Sequence, residues 1–276
     1  MTNEKKFDKS LWGEMKRAER ENAYAMINET IFDIKEDITV LPKILEVMAR
    51  FNKYSTANVL LIAHQKSNAT QLLNSDEVKY EGGYIKKGVR GIILFEKGEE
   101  YTKPDGSKGR RYNTKKYFDI TQTNLPQTKK GYVNYDLRLL NKALLANAPC
   151  VVEIVRELPE GQDVVYSPYQ PKVQLKEGMV AEDGFRNLIQ GISYAYSAKN
   201  RTPADQFTAY CVQYVVCRQF GMDSRDFDYN KVPDGFTDRS VEEIRNMLDN
   251  VSRVSQQIRL QMDKTLERPS YDKGER

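Results

Sequence analysis

Hydrophobic residues recur at helical spacing along much of this chain. Between Leu11 and Ile34 they fall mostly three or four positions apart with charges between them, which predicts an amphipathic helix. Pro42 is tolerated in a first helical turn, and the apolar positions from Ile44 to Ile62 predict a second helix, continuous or broken. Further helices are predicted over Leu137–Leu145, Val180–Lys199, Pro203–Phe220 and Val241–Leu266.

Shorter apolar runs bounded by turn residues predict strands. Gly91–Phe95 and Tyr117–Ile120 flank a polar segment, residues 102–111, that contains the turn sequence Pro-Asp-Gly. We expect a basic hairpin tip or loop there. Cys150–Val155 predicts a buried strand, and the polar stretch Val164–Leu175 contains prolines that permit an edge strand.

The pattern divides the chain into two parts. The composition changes after Pro126, and residues 128–131 (Thr-Lys-Lys-Gly) are expected to form a linker. We predict an α+β protein with domains at residues 1–127 and 128–276. The first has N-terminal helices packed on a small antiparallel sheet with a basic hairpin, and the second is mainly helical. The apolar stripe of Val241–Leu266 is expected to face the core rather than a dimer seam.

Composition narrows the class of protein. Of 276 residues, 39% are hydrophobic and 30% charged, which predicts a packed core and excludes wholesale disorder. The longest nearly apolar run, Phe207–Phe220, is interrupted by polar residues and is shorter than the roughly 20 residues that a bilayer requires. The first residues lead into charged sequence without the apolar segment of a secretory signal. We therefore expect a cytoplasmic protein.

Three cysteines and one histidine limit the chemistry. Cys211 and Cys217, if they share a helix, are about 9 Å apart along its axis and too distant for a disulfide. With Cys150 they are expected to be small core residues. Triads based on serine or cysteine need a histidine, and most catalytic zinc sites use more than one. His64 is expected on a helix surface or at a helix cap.

The charge of the chain is concentrated in one segment. The net charge is +4, but residues 79–116 hold eleven basic and five acidic side chains, so this segment carries +6 and the rest of the chain −2. One basic segment on a mildly acidic body favours an anionic partner at a defined place. A solvated charged face is the alternative.

Tyrosine rings stand beside cations in and near this segment. A base stacks on an aromatic ring with about 1 to 3 kcal/mol, and Lys or Arg neutralises the adjacent phosphates. Because duplex DNA hides its base faces, the combination favours an unpaired strand. Equally compatible is that the tyrosines pack a sheet and the lysines keep it soluble. The pairs are Tyr54 with Lys53, Tyr84 with Lys86 and Lys87, Tyr101 with Lys103, Tyr112 with Arg110 and Arg111, and Tyr117 with Lys115 and Lys116.

Several short motifs occur in one order between Leu41 and Thr123. They are Phe-Asn-Lys-Tyr-Ser at 51–55, Asn-Val-Leu-Leu-Ile at 58–62, Gln65, Ala69-Thr70, Lys-Lys-Gly at 86–88, Gly91-Ile92 and Phe-Asp-Ile-Thr-Gln-Thr at 118–123. This region resembles the N-terminal domain of ArdC-type antirestriction proteins, including the LtrC-like relatives carried by conjugative elements. The resemblance implies a domain that binds single-stranded DNA, in proteins that accompany mobile DNA into a new cell and blunt its restriction.

One departure from that family concerns an aromatic residue. The family usually has a tryptophan shortly before the Lys-Lys-Gly turn, whereas this chain has Val78, Lys79 and Tyr80 there. A stacking role for that tryptophan must pass to Tyr80 or be lost.

The resemblance also implies a zincin-like metallopeptidase domain in the C-terminal half. Such domains carry His-Glu-x-x-His on a helix, where two histidines bind zinc and the glutamate activates water. The corresponding positions here are Gln190, Gly191, Ile192, Ser193 and Tyr194. Both histidines and the general base are missing, and the positions near Thr208 and Tyr210 are not acidic. The resemblance therefore implies a degenerate domain without metal, cofactor or catalytic residues.

Together these features predict a non-enzymatic protein of a plasmid, conjugative element or phage. It would bind single-stranded DNA independently of sequence, in antirestriction or in protection of incoming DNA. The predicted DNA contacts are Lys53, Tyr54, Asn58, Tyr84, Lys86, Lys87, Arg90, Lys108, Arg110, Arg111, Tyr112, Lys115 and Lys116.

Other functions stay open on the sequence. The main alternative is a protein-interaction module, in which the degenerate peptidase domain and the C-terminal stripe bind a host defence protein. A metalloenzyme with unconventional ligands is a third. Glu96 and Asp119 are a conceivable acidic pair for nuclease-like chemistry, although two scattered carboxylates are common in any chain.

Overall fold

The computed structural model describes residues 9–127, 135–202, 205–222 and 226–266. The chain divides into two compact units, Met1–Val47 with Ala57–Lys129, and Met48–Thr56 with Lys130–Arg276. Each combines helices with a three-stranded sheet, which confirms the mixed α+β class. The linker at residues 128–131 lies outside the described residues, and the boundary after residue 127 stays a prediction.

The longer helices of the first unit follow the predicted periodicity, and a short fourth helix was not predicted. They are α1 (Lys9–Glu36), α2 (Val40–Arg50), α3 (Thr56–Lys66) and α4 (Ser75–Tyr80). The predicted second helix is broken, because a turn at 51–55 separates α2 from α3, and the end of α2 with this turn belongs to the second unit. His64 lies in the last turn of α3, where Nδ1 is 3.2 Å from Thr30 Oγ1 of α1, as expected for a helix-surface residue.

An antiparallel sheet forms the other half of the first unit. It comprises β1 (Leu72–Asn74), β2 (Ile92–Thr102) and β3 (Lys108–Asp119) in the order β1-β3-β2. Half of the predicted loop at 102–111 is strand, and residues 103–107 form the turn. Gly106 adopts a φ of +80°, which favours glycine. Polar and aromatic residues of β2 and β3 pair across the hairpin. The two strands therefore extend beyond the apolar segments from which they were predicted.

The outer edge of β2 is bonded by side-chain amides instead of another strand. Asn58 of α3 donates from Nδ2 to the carbonyl of Phe95 (2.9 Å) and accepts from its N–H (2.8 Å). Gln65, seven residues along α3, makes the same pair of bonds with Ile93, at 3.0 and 2.9 Å. The two amides satisfy backbone groups that an edge strand otherwise leaves open.

Asp119 fastens the other side of the sheet. Its fully buried carboxylate accepts the backbone N–H groups of Thr70 (2.7 Å), Gln71 (3.1 Å) and Thr121 (3.2 Å), together with the Thr121 hydroxyl. Burial alone would raise the pKa of Asp119, but these hydrogen bonds outweigh it and lower the pKa below its usual value. The ionised carboxylate therefore holds the connection into β1 against the end of β3.

The second unit begins with helix α5 (Leu137–Ala146) and a small mixed sheet. The strands are β4 (Val151–Val155), β5 (Val164–Ser167) and β6 (Lys172–Lys176), in the order β4-β6-β5, with β4 parallel and β5 antiparallel to β6. The prediction that 150–155 is a buried strand is wrong. Because β6 takes the centre, β4 lies at an edge with Val151 61% and Ile154 73% exposed.

Three long helices complete the second unit: α6 (Ala181–Lys199), α7 (Gln206–Gln219) and α8 (Val241–Leu266). The stripe of α8 is buried at Ile244, Leu248, Val251 and further positions down to Met262, which confirms that it faces the core. Cys211 and Cys217 on α7 are buried, as predicted for small core residues, whereas Cys150 is half-buried. Burial raises the pKa of the Cys217 thiol to about 11.

Helices in the described ranges are too short or too polar to cross a bilayer. The cytoplasmic location stays a prediction.

We predict that Asp119→Ala lowers the free energy of unfolding by about 3 kcal/mol, because three backbone N–H donors lose a buried, charged acceptor. The control is Asp105→Ala, whose carboxylate accepts the Ser107 N–H in an exposed turn. Urea unfolding at neutral pH measures both. Because the folded-state pKa of Asp119 is lowered, its stabilisation is present above the unfolded pKa of about 4 and is lost as the pH falls through the folded value. Equal losses of unfolding free energy in the two variants would contradict this structural role of Asp119.

Candidate nucleic-acid interface

The hairpin of β2 and β3 extends well past the rest of its sheet. β1 pairs only with Tyr117–Asp119 of β3, so the part of the hairpin nearer its turn is a two-stranded ribbon. At about 3.4 Å per residue, the twelve residues of β3 span about 40 Å. An elongated ribbon of this kind offers length and exposed side chains to a polymer.

A second basic segment lies at the base of the hairpin. It contains Tyr84, Lys86, Lys87 and Arg90, all exposed, in the turn between α4 and β2. The turn is fixed to the residues that follow β3, since Ile85 bridges to Thr123 and the N–H of Lys86 donates to the carbonyl of Gln122 at 2.9 Å. The predicted site residues of the first unit are therefore distributed along the whole hairpin.

Strand alternation divides the hairpin cations between two faces. Paired residues of antiparallel strands point to the same side, and successive residues point to opposite sides. The α1 face, named for the helix that packs on it, is formed by Phe95, Lys97, Lys108, Arg110, Tyr112, Thr114 and Lys116. The opposite face is formed by Leu94, Glu96, Tyr101, Arg111, Asn113, Lys115 and Tyr117. Cations that are neighbours in the basic segment therefore lie on opposite faces of this ribbon.

Cations of the opposite face interact within the hairpin. The Arg111 guanidinium lies 5.7 Å from the centre of the Tyr101 ring. Lys115 Nζ is 3.5 Å from Glu96 and 6.0 Å from the ring centre of Tyr117, whose hydroxyl also donates to Glu96. These contacts hold the side chains against the sheet.

The α1 face presents its cations with an exposed ring. Tyr112 is 46% exposed, and Lys108 and Lys116 are exposed beside it on the same strand. Arg110 forms an ion pair with Glu100. This face therefore combines an accessible aromatic ring with ammonium groups.

The predicted stacking rings of the first unit are accessible. Tyr84 is 63% and Tyr112 46% exposed, and Tyr80, at the position where the ArdC-type family usually has tryptophan, is 91% exposed. The alternative in which the tyrosines only pack the sheet does not fit these three rings.

Three predicted contacts are placed elsewhere. Asn58 is buried, and its amide is bonded to the backbone of Phe95, so its prediction as a DNA contact is corrected to a structural role. The seven-residue spacing between Asn58 and Gln65 is the sequence signal for that role. Lys53 is exposed and Tyr54 half-buried in the turn after α2, which belongs to the second unit, and the Tyr54 ring packs edge-on against Phe51.

Glu96 and Asp119 do not form an acidic pair. The cross-strand partner of Glu96 is Asn113, six residues from Asp119 along β3 and therefore about 20 Å away. The carboxylate of Asp119 is occupied by backbone donors.

The degenerate motif positions of the second unit form an amide contact and a close helix-sheet contact. Gln190 of α6 donates from Nε2 to Oε1 of Gln213 on α7 at 3.1 Å. At Gly191 a β-carbon would collide with Val173 of β6, so glycine allows α6 to approach the sheet. Tyr194 is half-buried, and burial, with a smaller contribution from Asp205, raises its pKa.

This donor set does not fit a catalytic metal. Amide, glycine and phenol replace the imidazole and carboxylate groups that hold zinc or manganese. In the described ranges, no three His, Cys, Asp or Glu side chains are grouped closely enough to hold an ion.

A polar cleft of about 930 Å³ opens in the second unit. Asp205, the N-cap of α7, pairs there with Arg239 at 2.9 Å, and Thr202 Oγ1 donates to the buried Asn250 at 2.9 Å. Burial opposes ionisation of Asp205, but the hydrogen bonds from Thr208 and Arg239 lower its pKa overall. The positions 190, 191 and 194 are not among the described residues that line the cleft.

We predict that Asn58→Ala increases the hydrogen-exchange rate of the Phe95 amide at least tenfold, because its acceptor is lost. Asn22→Ala, an exposed change on α1, should leave that rate unchanged. Hydrogen exchange of the Phe95 amide, measured by NMR in both variants and in the wild type, tests this prediction. Wild-type protection of Phe95 in the Asn58 variant would disprove the edge contact.

Comparison with known proteins gives structural neighbours only. The sequence matches no family model and no curated protein sequence. The metal-free crystal structure of the antirestriction protein ArdC from plasmid R388 aligns with a TM-score of 0.52 and 14% identity, covering 78% of this chain and 85% of ArdC. The Mn(II)-bound structure of the same protein aligns with a TM-score of 0.52 and 13% identity over 83% of this chain and 99% of ArdC. The chain therefore has an ArdC-like fold.

Proposed function

We propose that this protein binds single-stranded DNA independently of base sequence and acts in antirestriction or protection of DNA carried by a mobile element. The contacts of the first unit are Tyr84, Lys86, Lys87 and Arg90 at the base of the hairpin, and Lys108, Tyr112 and Lys116 along its α1 face.

The observation that carries this proposal is the extended hairpin with exposed rings and cations at both ends. Phosphates spaced along a polymer match cations spread over about 40 Å better than a compact ligand does. The exposed rings of Tyr84 and Tyr112 supply stacking surfaces that an unpaired base can reach. Neither phosphate neutralisation nor stacking depends on the identity of the base, so we expect binding that is independent of base sequence.

The fold likeness supports the antirestriction part of the proposal. ArdC of plasmid R388 is an antirestriction protein, and this chain shares its fold over most of both chains. The proposal extends that role to this protein, with the hairpin region as the DNA-binding part and the second unit as a degenerate zincin-like domain.

The proposed activity is binding without catalysis. One ArdC structure contains Mn(II), whereas the positions here that correspond to the family's motif offer Gln190, Gly191 and Tyr194. We predict that excess Mn²⁺ or Zn²⁺ shifts the thermal unfolding midpoint no more than Mg²⁺ does, because a specifically bound ion would stabilise the folded state. A saturable rise with Mn²⁺ alone would contradict the proposal.

We predict that affinity for labelled oligo-dT falls steeply as salt rises. For single strands, the slope of log K against log salt is about −0.7 per neutralised phosphate. Lys86→Glu with Lys87→Glu should weaken binding and make the slope shallower by about 1.4, because two phosphate contacts are removed. Fluorescence anisotropy at several salt concentrations measures both quantities.

The matched control reverses two exposed lysines of the second unit, Lys142 and Lys199, to glutamate. It changes the net charge equally and should leave affinity and slope close to the wild type. Equal weakening by the two double variants would show that only net charge acts, and binding unchanged by salt would remove the electrostatic basis of the site.

A second candidate function is binding of a host defence protein, and it is favoured by the edge strand β4. Val151 and Ile154 expose most of their apolar side chains on a strand edge, where another chain can add or pack. The test is a pull-down from nuclease-treated host lysate with the wild type and with Val151→Glu/Ile154→Glu. A stoichiometric partner that the wild type retains and the variant loses would favour this function.

A further inference from the structure

The first turns of α1 carry an exposed apolar cluster. Trp12, the single tryptophan of the chain, is 51% exposed, and its neighbours Leu11 and Met15 are 56% and 64% exposed. Tryptophan is normally buried over most of its surface. Exposed apolar clusters of this kind are common where proteins bind other molecules.

Helical spacing directs Trp12 toward the hairpin. Trp12 precedes Lys16 by four residues, Glu19 by seven and the buried Ala23 by eleven, so all four lie along one stripe of α1. This stripe packs on the sheet, because Lys16 Nζ donates to the Thr114 carbonyl at 3.3 Å and the Thr114 hydroxyl donates to Glu19 at 2.6 Å. Trp12 therefore lies one turn beyond the contact with β3, on the side of the helix that faces the sheet.

Tyr112 lies on the hairpin face that α1 covers, near the contact between Lys16 and Thr114. It lies two residues from Thr114 on the α1 face, about 7 Å along β3, while Trp12 lies about 6 Å along α1 from Lys16. Each ring therefore lies within about 7 Å, measured along its own helix or strand, of the contact between Lys16 and Thr114.

Positive charges around the two rings favour a negatively charged ligand. Arg17 is exposed on α1 next to the stripe, and Lys108 and Lys116 are exposed on the same face of β3 as Tyr112. Lys116 also lies close enough to Glu19 to contribute to the lowering of its pKa, after the larger effects of burial and of the hydrogen bonds from Lys16 and Thr114. Rings placed among cations match unpaired bases and their phosphates.

We propose that Trp12 and Tyr112 form a stacking site for unpaired bases, and that single-stranded DNA therefore runs along the α1 face of the hairpin and not along the opposite face. This inference rests on the proposed function and adds to it the helix α1, the base-stacking residues and the choice of face. On the opposite face, Arg111 and Lys115 remain engaged with Tyr101 and Glu96.

Tryptophan emission tests the site directly, because selective excitation reports on Trp12 alone. Unlabelled oligo-dT should quench this emission and saturate at the concentration at which anisotropy of labelled oligo-dT saturates. Trp12→Ala should weaken affinity by about 5- to 150-fold, the equivalent of losing one stacked base. Trp12→Phe, which retains a ring, should recover most of that loss.

Two matched controls separate this site from general effects. Phe32→Ala removes an equally exposed ring farther along α1, 51% exposed, and should leave affinity unchanged. Lys108→Glu/Lys116→Glu on the α1 face should weaken binding at least tenfold more than Arg111→Glu/Lys115→Glu on the opposite face, at equal change of charge. Circular dichroism verifies that each variant retains the wild-type helix content.

The outcomes distinguish this inference from the proposed function. If anisotropy shows binding while Trp12 emission is constant and Trp12→Ala binds like the wild type, the stacking site is wrong and the proposed function stands. If the wild type binds no DNA, both fail. If Trp12→Ala changes only the molar mass in light scattering, the cluster is a contact between copies of the chain and the inference is overturned.

Discussion

The hydrogen bonds that terminate the first sheet decide how the rest of this unit is arranged. Asn58 and Gln65 occupy the outer edge of β2 at Phe95 and Ile93, and the Asp119 carboxylate gathers the N–H groups where β1 begins. These bonds are part-buried and those to Asp119 are made to a charged group, so each contributes on the order of 1 kcal/mol or more. The base of the hairpin is therefore fixed on both sides, while its outer part extends as a ribbon whose side chains meet solvent on two faces.

The fixed base also determines where the ligand-binding groups can lie. Thr114 and Phe95 face each other as a pair without ladder hydrogen bonds. The backbone groups of Phe95 bond instead to Asn58, and the carbonyl of Thr114 accepts from Lys16. The same register that attaches α3 to one edge thus attaches α1 to the other. As a consequence, α1 covers one face of the hairpin near its middle, where Glu19 and Tyr24 contact Thr114 and Phe95.

In the second unit, contacts among their own side chains and neighbours pack positions 190–194, which the sequence resemblance aligns with a metal-binding motif. Gln190 and Gln213 hydrogen-bond across α6 and α7, and Gly191 lets α6 pack closely on β6. A neutral amide pair avoids the cost of burying carboxylates without an ion. The amide pair and the glycine contact account for the packing of α6, and the exposed edge of β4 gives this unit a surface of its own.

The sequence by itself determined the helices other than α4, the presence of the hairpin, the basic segment and the core stripe of α8, because each follows from local periodicity, turn chemistry or charge. Tertiary structure decided what depends on pairing between distant residues. The register of β2 and β3 placed Arg110 and Arg111 on opposite faces, although they are adjacent in sequence. The position of β6 between β4 and β5 exposed a strand that its composition predicted to be buried. Asn58 was predicted as a DNA contact, but in the fold it hydrogen-bonds the backbone of Phe95 at the edge of the sheet. The sequence does not reveal this role, because the amide meets the N–H and carbonyl of Phe95 only after the helix and the strand have packed together.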